Sequence, residues 1–322
     1  QVDVPDEEMR DYQTAEWAAQ VIPELAAKEK PFFLSVGFML PHVPIYASKK
    51  WFDLYPLGSV QLPAARPDDR DDLPEIAKQL TLNPTGPRHE YMVESDEARH
   101  AVRAYLAANS FVDHLVGMVL DGLNKSGVAD NTIVVVWSDH GFHLGEKQRW
   151  AKRSLWEETT RVPMIISAPG FAKGKRSQRP VGLIDLFPTL ADLCGLPIKE
   201  DLEGLSLKTL LQNPNATWAR PALCTFGPNN HTLRSEDFRY TRYADGSEEF
   251  YDHRVDPNEW DNQANNPKYA SVIRDFRGHL PTLNVDPLPG SSGSDSPLYG
   301  EGDIPLGEAM RRGREALERL KK

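Results

Sequence analysis

The feature that most constrains this chain is the run Thr132-Ile133-Val134-Val135-Val136-Trp137, which passes without a break into Ser138-Asp139-His140-Gly141. A short β-branched and apolar run with no polar alternation suits a strand buried on both faces, the situation of a parallel sheet covered by helices. Parallel neighbours need crossover connections, and helical patterns flank the run. Before it, Val102, Tyr105, Leu106, Val112, Leu115, Val116, Val119 and Leu123 follow one face of a helix starting at Asp96 and ending near Gly127. After it, residues 162–167 repeat the strand pattern, and Leu183, Ile184, Leu186, Phe187, Leu190, Ala191 and Leu193 mark a helical face that stops at Gly195 before Pro197. Nearer the start, Ala15, Ala18, Val21, Ile22, Leu25 and Ala26 recur at helical spacing, with Pro23 expected to kink or reset the helix. A strand is expected over 32–38, leading into the Pro-rigid loop Leu40-Pro41-His42-Val43-Pro44. Strands alternating with helices give an α/β class: a mostly parallel, mixed sheet sandwiched by helices.

Beyond Asp201 the character changes. Residues 232–234 and 238–243, then Phe250 and Tyr251, are short strand-like pieces separated by turns that include Asp245-Gly246. They predict a small antiparallel sheet with a packing helix. The domain reading is therefore residues 1–200 as part of an α/β domain, 201–281 as a small α+β subdomain, and 282–322 as a Pro/Gly/Ser-rich linker with a short basic helix over 310–322. Residues 60–95 read as an excursion over the surface, with Asp68-Asp69 and Asp71-Asp72 as a solvated charge run rather than a metal site.

The charge balance, 47 acidic against 37 basic residues for a net −10, disfavours nucleic acid and anionic membranes as partners. A polyanionic substrate would need a local basic pocket. Nothing approaches 18 consecutive apolar residues, so no transmembrane segment is expected. Cys194 and Cys224 are too few for a disulfide framework or a cysteine zinc site, while one bridge between them stays open. The start, Gln1-Val2-Asp3-Val4-Pro5, has neither a basic n-region nor an apolar h-region and reads as internal, so it leaves the compartment undecided.

Taken alone, Asp139-His140-Gly141 has two readings: an aspartate capping the next turn beside a hydrogen-bonded histidine, or a divalent-cation site at the carboxyl end of a strand, where ligands of open α/β sheets collect. The longer run Ser138-Asp139-His140-Gly141-Phe142-His143-Leu144-Gly145-Glu146, with Trp150-Ala151-Lys152, resembles the C-terminal signature of type I sulfatases of the alkaline phosphatase superfamily, in particular the iduronate-2-sulfatase and choline sulfatase types. Four further stretches agree in order and spacing: Leu40-Pro41-His42-Val43-Pro44, Val112-Asp113-His114-Leu115-Val116-Gly117, Asp185-Leu186-Phe187-Pro188-Thr189-Leu190, and Phe250-Tyr251-Asp252 with Asp256-Pro257-Asn258-Glu259.

The resemblance implies a sulfuric ester hydrolase acting on sulfated sugars or related sulfate esters. By it, Asp139 and His140 are metal ligands, with calcium as the usual ion; many relatives carry Asn in place of His140, whereas the iduronate type has His. Lys152 matches the lysine that contacts a sulfate oxygen, and His42 the histidine that hydrogen-bonds the ester oxygen and protonates the leaving alcohol. His143, Lys147, Arg149 and Arg153 lie near enough in sequence to line a pocket, and His143 and Arg149 are taken as substrate contacts. Such enzymes attack with formylglycine, made from the Cys or Ser of a Cys/Ser-x-Pro-Ser-Arg motif, and bind the metal with two further aspartates. No such motif occurs in the 322 residues. The nucleophile is therefore expected from a missing N-terminal half of the catalytic domain, the complete protein in the periplasm or secreted, and this portion inactive by itself. A phosphodiesterase or phosphonate monoester hydrolase of the same superfamily is one alternative, because tetrahedral anionic esters share the metal and lysine logic. A non-catalytic, sulfatase-like binding subunit is the other.

Overall fold

A computed structural model describes residues 2–28, 30–81 and 86–285. The linker and basic helix expected over 282–322 fall almost wholly outside the described residues. The chain divides into two compact units, one of residues 1–63, 88–135 and 165–170, the other of 64–87, 136–164 and 171 onward.

The first unit is built on two packed helices, α1 (Arg10–Ala26) and α2 (Glu97–Lys125). α1 buries Ala15, Ala18 and Ile22, part of the apolar face read in the sequence. Pro23 does not reset it, the helix running on to Ala26. It falls in the last turn, where one lost hydrogen bond matters least, and Ala27 N still donates to Pro23 O at 3.0 Å. At Gly122 the two helices come close: a Cβ there would lie 2.6 Å from Ala19 Cα, so only glycine lets the two backbones meet. α2 buries Val102, Leu115 and Leu123 as expected, and with them Ala108 and Phe111, which pack with Ala15 of α1, and Ala107, which packs with Ala47 and Phe52. Residues 31–39 form no regular element but alternate in exposure, with Leu34, Val36 and Phe38 half-buried and Phe33, Ser35, Gly37 and Met39 exposed. The period of two is that of the predicted strand, but no ladder forms there among the described residues, and a strand is defined by its neighbour as much as by its pattern.

The run at 132–137 forms β1 (Val134–Trp137), which pairs with β2 (Met164–Ser167) in a two-stranded sheet.

In the second unit, β3 (Ala222–Thr225), β4 (His231–Arg234), β5 (Phe238–Arg242) and β6 (Glu248–Asp252) make an antiparallel sheet in sequential order. Gly246, with φ of 91°, takes the left-handed position of the turn between β5 and β6. Register sorts the side chains by face. Leu233, Tyr240 and Phe250 are cross-strand partners and pack under α3 (Ala270–Arg277) with Tyr269, Ile273 and Phe276. The row Thr232, Thr241 and Glu249, and the row Arg234, Arg239 and Tyr251, fall on the other face. There Tyr251 packs with Leu73, Ala77, Leu80, Leu155 and Trp156. The excursion at 60–95 is thus only partly superficial. Its short helix Glu75–Leu80 is core, and Asp69, read as part of a solvated run, is 2% exposed because it pairs with Lys147. The helix Leu186–Leu193 ends as the sequence predicts at Gly195, φ 66°. Cys194 and Cys224 are free thiols.

Candidate active site

Asp139 lies two residues beyond β1, on a turn that a neighbouring element holds in place. That element is the short helix Glu157–Thr160. Gly141 N donates to Thr159 O at 2.9 Å, and a Cβ on Gly141 would run into the Glu158 carbonyl oxygen. Further along, His143 N donates to Ala151 O at 3.1 Å and Gly145 N to Arg149 O at 2.8 Å, closing the loop that returns to Lys152. Lys147, Gln148 and Arg153 hold φ of 51°, 53° and 62°, the left-handed region that non-glycine residues enter at a cost.

Asp139, His140 and Lys152 come together. His140 Nδ1 is 2.7 Å from Gly141 O; a carbonyl only accepts, so Nδ1 carries the proton and Nε2 is left with a free lone pair. That lone pair is 3.6 Å from Asp139 Oδ2 and accepts from Lys152 Nζ at 2.9 Å. The Asp139 side chain is 76% exposed and accepts a hydrogen bond from the adjacent His140 N at 3.1 Å. The turn therefore offers a carboxylate and a correctly oriented imidazole nitrogen beside the lysine amine, a donor set that fits two positions of a divalent cation's shell and leaves the rest of that shell open.

His143 and Arg149 face inward. His143 is fully buried, its Nε2 2.9 Å from Ser154 Oγ, its ring edge-on to Trp156 at 6.0 Å and its Nδ1 without a partner. Burial, with the Arg149 charge adding to it, pulls its pKa down to about 3. Arg149 is 6% exposed and donates to Lys152 O at 3.0 Å; burial and then Arg70 bring its pKa down to about 10. Both brace the loop from beneath. Lys147 is buried too, donating to Asp69 Oδ1 at 2.7 Å and to Glu259 O. His42 belongs to the first unit. Its loop is tied to α1 by Asp11, whose Oδ2 accepts from Met39 N and Leu40 N at 3.0 and 2.9 Å, and its own Nδ1 donates to Val43 O at 2.6 Å, so an added proton would sit on Nε2.

A second polar cluster went unrecognised in the sequence. Glu157, His253 and Glu259 bring ligand atoms within 4.8 Å of one another, close enough for a metal. The position is already filled by a guanidinium. Arg239, 1% exposed on β5, donates to Glu157 and Glu259; Arg234 Nε donates to Glu157 Oε2 at 3.1 Å; and Glu259 Oε2 accepts from Glu157 N at 3.0 Å. Because Arg234 Nη2 donates to His253 Nδ1 at 2.9 Å, His253 Nε2 is the protonated nitrogen and donates to Glu259 Oε1 at 2.9 Å. Burial alone would raise the Glu259 carboxyl, but Arg239 and His253 hold it well below the usual range, at about 2. The sole sequence trace of this cluster is Asp256-Pro257-Asn258-Glu259, quoted above without a role.

The "Sulfatase" family model matches residues 2–196, and the model "N-sulphoglucosamine sulphohydrolase, C-terminal" matches 145–286. The chain belongs to the sulfatase family. A sulfatase of Formosa agariphila is 42% identical over 277 residues, covering 86% of this chain and 54% of the relative, and mouse iduronate 2-sulfatase is 33% identical over 235 residues, covering 61% and 42%. The chain thus spans about half the length of the curated relatives it matches. Among solved structures, a phosphonate monoester hydrolase of Silicibacter pomeroyi superposes with a TM-score of 0.74 at 22% identity, covering 85% of this chain and 60% of that one, a likeness of fold. The α/β class read from the sequence is the fold these relatives share, and the type I sulfatase resemblance is borne out. In this chain the segment 149–159 falls where the two family models overlap, at 145–196, and residues 139–144, paired with it, lie just before that overlap.

Proposed function

We propose that this chain is part of a sulfuric ester hydrolase acting on sulfated sugars, and that Asp139, His140 and Lys152 serve its sulfate-ester site. The observation that carries the reading is the 2.9 Å approach of Lys152 Nζ to a His140 nitrogen whose tautomer is fixed for ligation, beside an open carboxylate. A divalent cation, calcium by family habit, would be held by Asp139 and His140 and would polarise the sulfuryl oxygens. Nε2 of His140 gives its lone pair either to that cation or to the Lys152 ammonium; in the first case the ammonium is free to face an anion. Its charge then offsets the negative charge that builds on the sulfuryl oxygens. The saccharide class rests on the iduronate and sulphoglucosamine names of the matching relative and family. The nucleophile, expected to be formylglycine, is assigned to residues outside these 322.

The test is turnover by the complete protein of matched sulfate, phosphate and phosphonate esters, with and without a chelator. Sulfate preference and loss of activity on chelation are expected, and Lys152→Ala should raise the barrier by about 2–4 kcal/mol. A preference for phosphonates, or unchanged kinetics in Lys152→Ala, would overturn the assignment. The 322-residue chain alone should give no turnover. His42→Ala should slow esters with poor leaving groups more than activated aryl esters, since only the former need a proton.

A further inference from the structure

We infer that Arg239, on the C-terminal sheet, is a positioning residue for the turn that carries Asp139 and His140. The inference rests on the cation reading proposed above, and it adds a reason for a buried charge cluster that chemistry at the turn does not itself use.

The connection is short and continuous. Arg239 donates to the Glu157 carboxylate, to Glu259, and through Nη1 to Leu155 O at 3.2 Å and Thr232 Oγ1 at 3.1 Å. Glu259 Oε2 in turn accepts from Glu157 N at 3.0 Å. The start of the short helix Glu157–Thr160 is therefore gripped at its side chain, its amide and the carbonyl just before it. This same helix is the floor of the site turn: Thr159 O accepts from Gly141 N at 2.9 Å, and the Glu158 carbonyl packs against Gly141 so closely that no Cβ would fit. A shift of the helix by a fraction of an ångström must move Gly141 and, with it, the carbonyl that fixes the His140 tautomer at 2.7 Å.

Stability alone does not explain such a cluster. A buried ion pair pays for desolvation with its own attraction, and apolar substitutes of similar size are often as stable, so what the charges add is one defined geometry. Arg239, Glu157 and Glu259 lie at 1%, 9% and 1% exposure, with the guanidinium directed to both carboxylates.

The test compares the wild-type chain with Arg239→Lys and with the triple variant Arg239→Met, Glu157→Gln, Glu259→Gln, which removes the guanidinium and both carboxylates together and leaves the part-exposed Arg234 without its carboxylate partner. Two readouts are taken well below the melting temperature: hydrogen exchange of the Gly141 amide relative to the β4–β5 ladder amides, and affinity for Tb3+ as the probe cation. In the triple variant, Gly141 exchange should accelerate about tenfold while the ladder stays protected, and Tb3+ affinity should fall about tenfold, the scale on which supporting partners of metal ligands act. Arg239→Lys, which keeps the charge but not the fork, should fall between and keeps the test available if the triple variant does not fold. Unchanged Gly141 exchange, or acceleration of Gly141 and ladder amides together, overturns the inference. Asp139→Ala separates the two claims: it should abolish Tb3+ binding with Gly141 still protected. Survival of Tb3+ binding in that variant would sink the cation reading, and the exchange comparison would still decide the role of Arg239.

Discussion

Two clusters in the second unit are made of the same kinds of residue. Asp139, His140 and Lys152 join a carboxylate, an imidazole and a cation; so do Glu259, His253 and Arg239. In the second, carboxylate oxygens and imidazole nitrogens meet a donor or acceptor, and Arg239 sits where an ion would. In the first, Asp139 is 76% exposed and accepts one bond from its own neighbour. Proximity of ligand atoms favours the closed cluster as a metal site. Satisfaction of hydrogen bonds reverses that choice, because a group with no unused lone pair has nothing to offer a ligand. What separates a site from a brace is therefore unused bonding capacity.

The comparison breaks most readily at Arg239. Arg239→Met should destabilise the chain by about 3–5 kcal/mol, since it leaves Glu157 and Glu259 buried beside each other without their shared cation. Urea melts of the two proteins check this. A loss under about 1 kcal/mol would mean that water reaches the cluster and that it is not closed.

How much of this was readable in the sequence follows from how far apart along the chain the partners are. The open cluster was legible because Asp139, His140 and Gly141 are consecutive, follow a strand, and sit 11 to 13 positions from Lys152 within one motif. The closed cluster joins residues 20 and 82 positions apart, one on β5, one beyond the end of β6 and one on the short helix Glu157–Thr160, so only the tertiary fold brings them together. The inward turn of His143 and Arg149 was hidden for a different reason. Left-handed backbone at Lys147, Gln148 and Arg153 redirects the loop, and no residue type there announces it as glycine would. Strand pattern at 31–39 was visible without its ladder, because alternation is local and pairing is not.

A middling effect is expected at His143, which separates the loop's brace from its exposed tip. Folded His143 stays neutral down to about pH 3, whereas in the unfolded chain it takes up a proton below 6.5. Between those values the unfolded state binds more protons, so stability falls as pH drops from 6.5 toward 3. At pH 5 the term is about 2 kcal/mol. His143→Leu should remove it, flattening the pH dependence of Tm between pH 6.5 and 5, where Glu259 with its depressed carboxyl contributes no slope of its own because its window runs from 4.5 down to about 2. An unchanged slope would mean that His143 is protonated in the fold, and so not a buried brace.

The smallest effect on stability should come from Asp139, and its smallness is the point. Asp139→Asn alters an exposed side chain with one local bond, so without cation the two melting curves should agree to within about 0.5 kcal/mol. With millimolar calcium the wild-type chain should gain stability by linkage, because a ligand that binds only the folded state raises Tm, while Asp139→Asn should gain little. Glu259→Gln should show the reverse, a lower Tm in every buffer and a calcium increment like that of the wild type, since amide for carboxylate keeps the shape of the brace and leaves the open carboxylate in place. If calcium instead stabilised Asp139→Asn fully and Glu259→Gln not at all, the ion would be binding in the closed cluster, and unused bonding capacity would be the wrong criterion for telling the two apart.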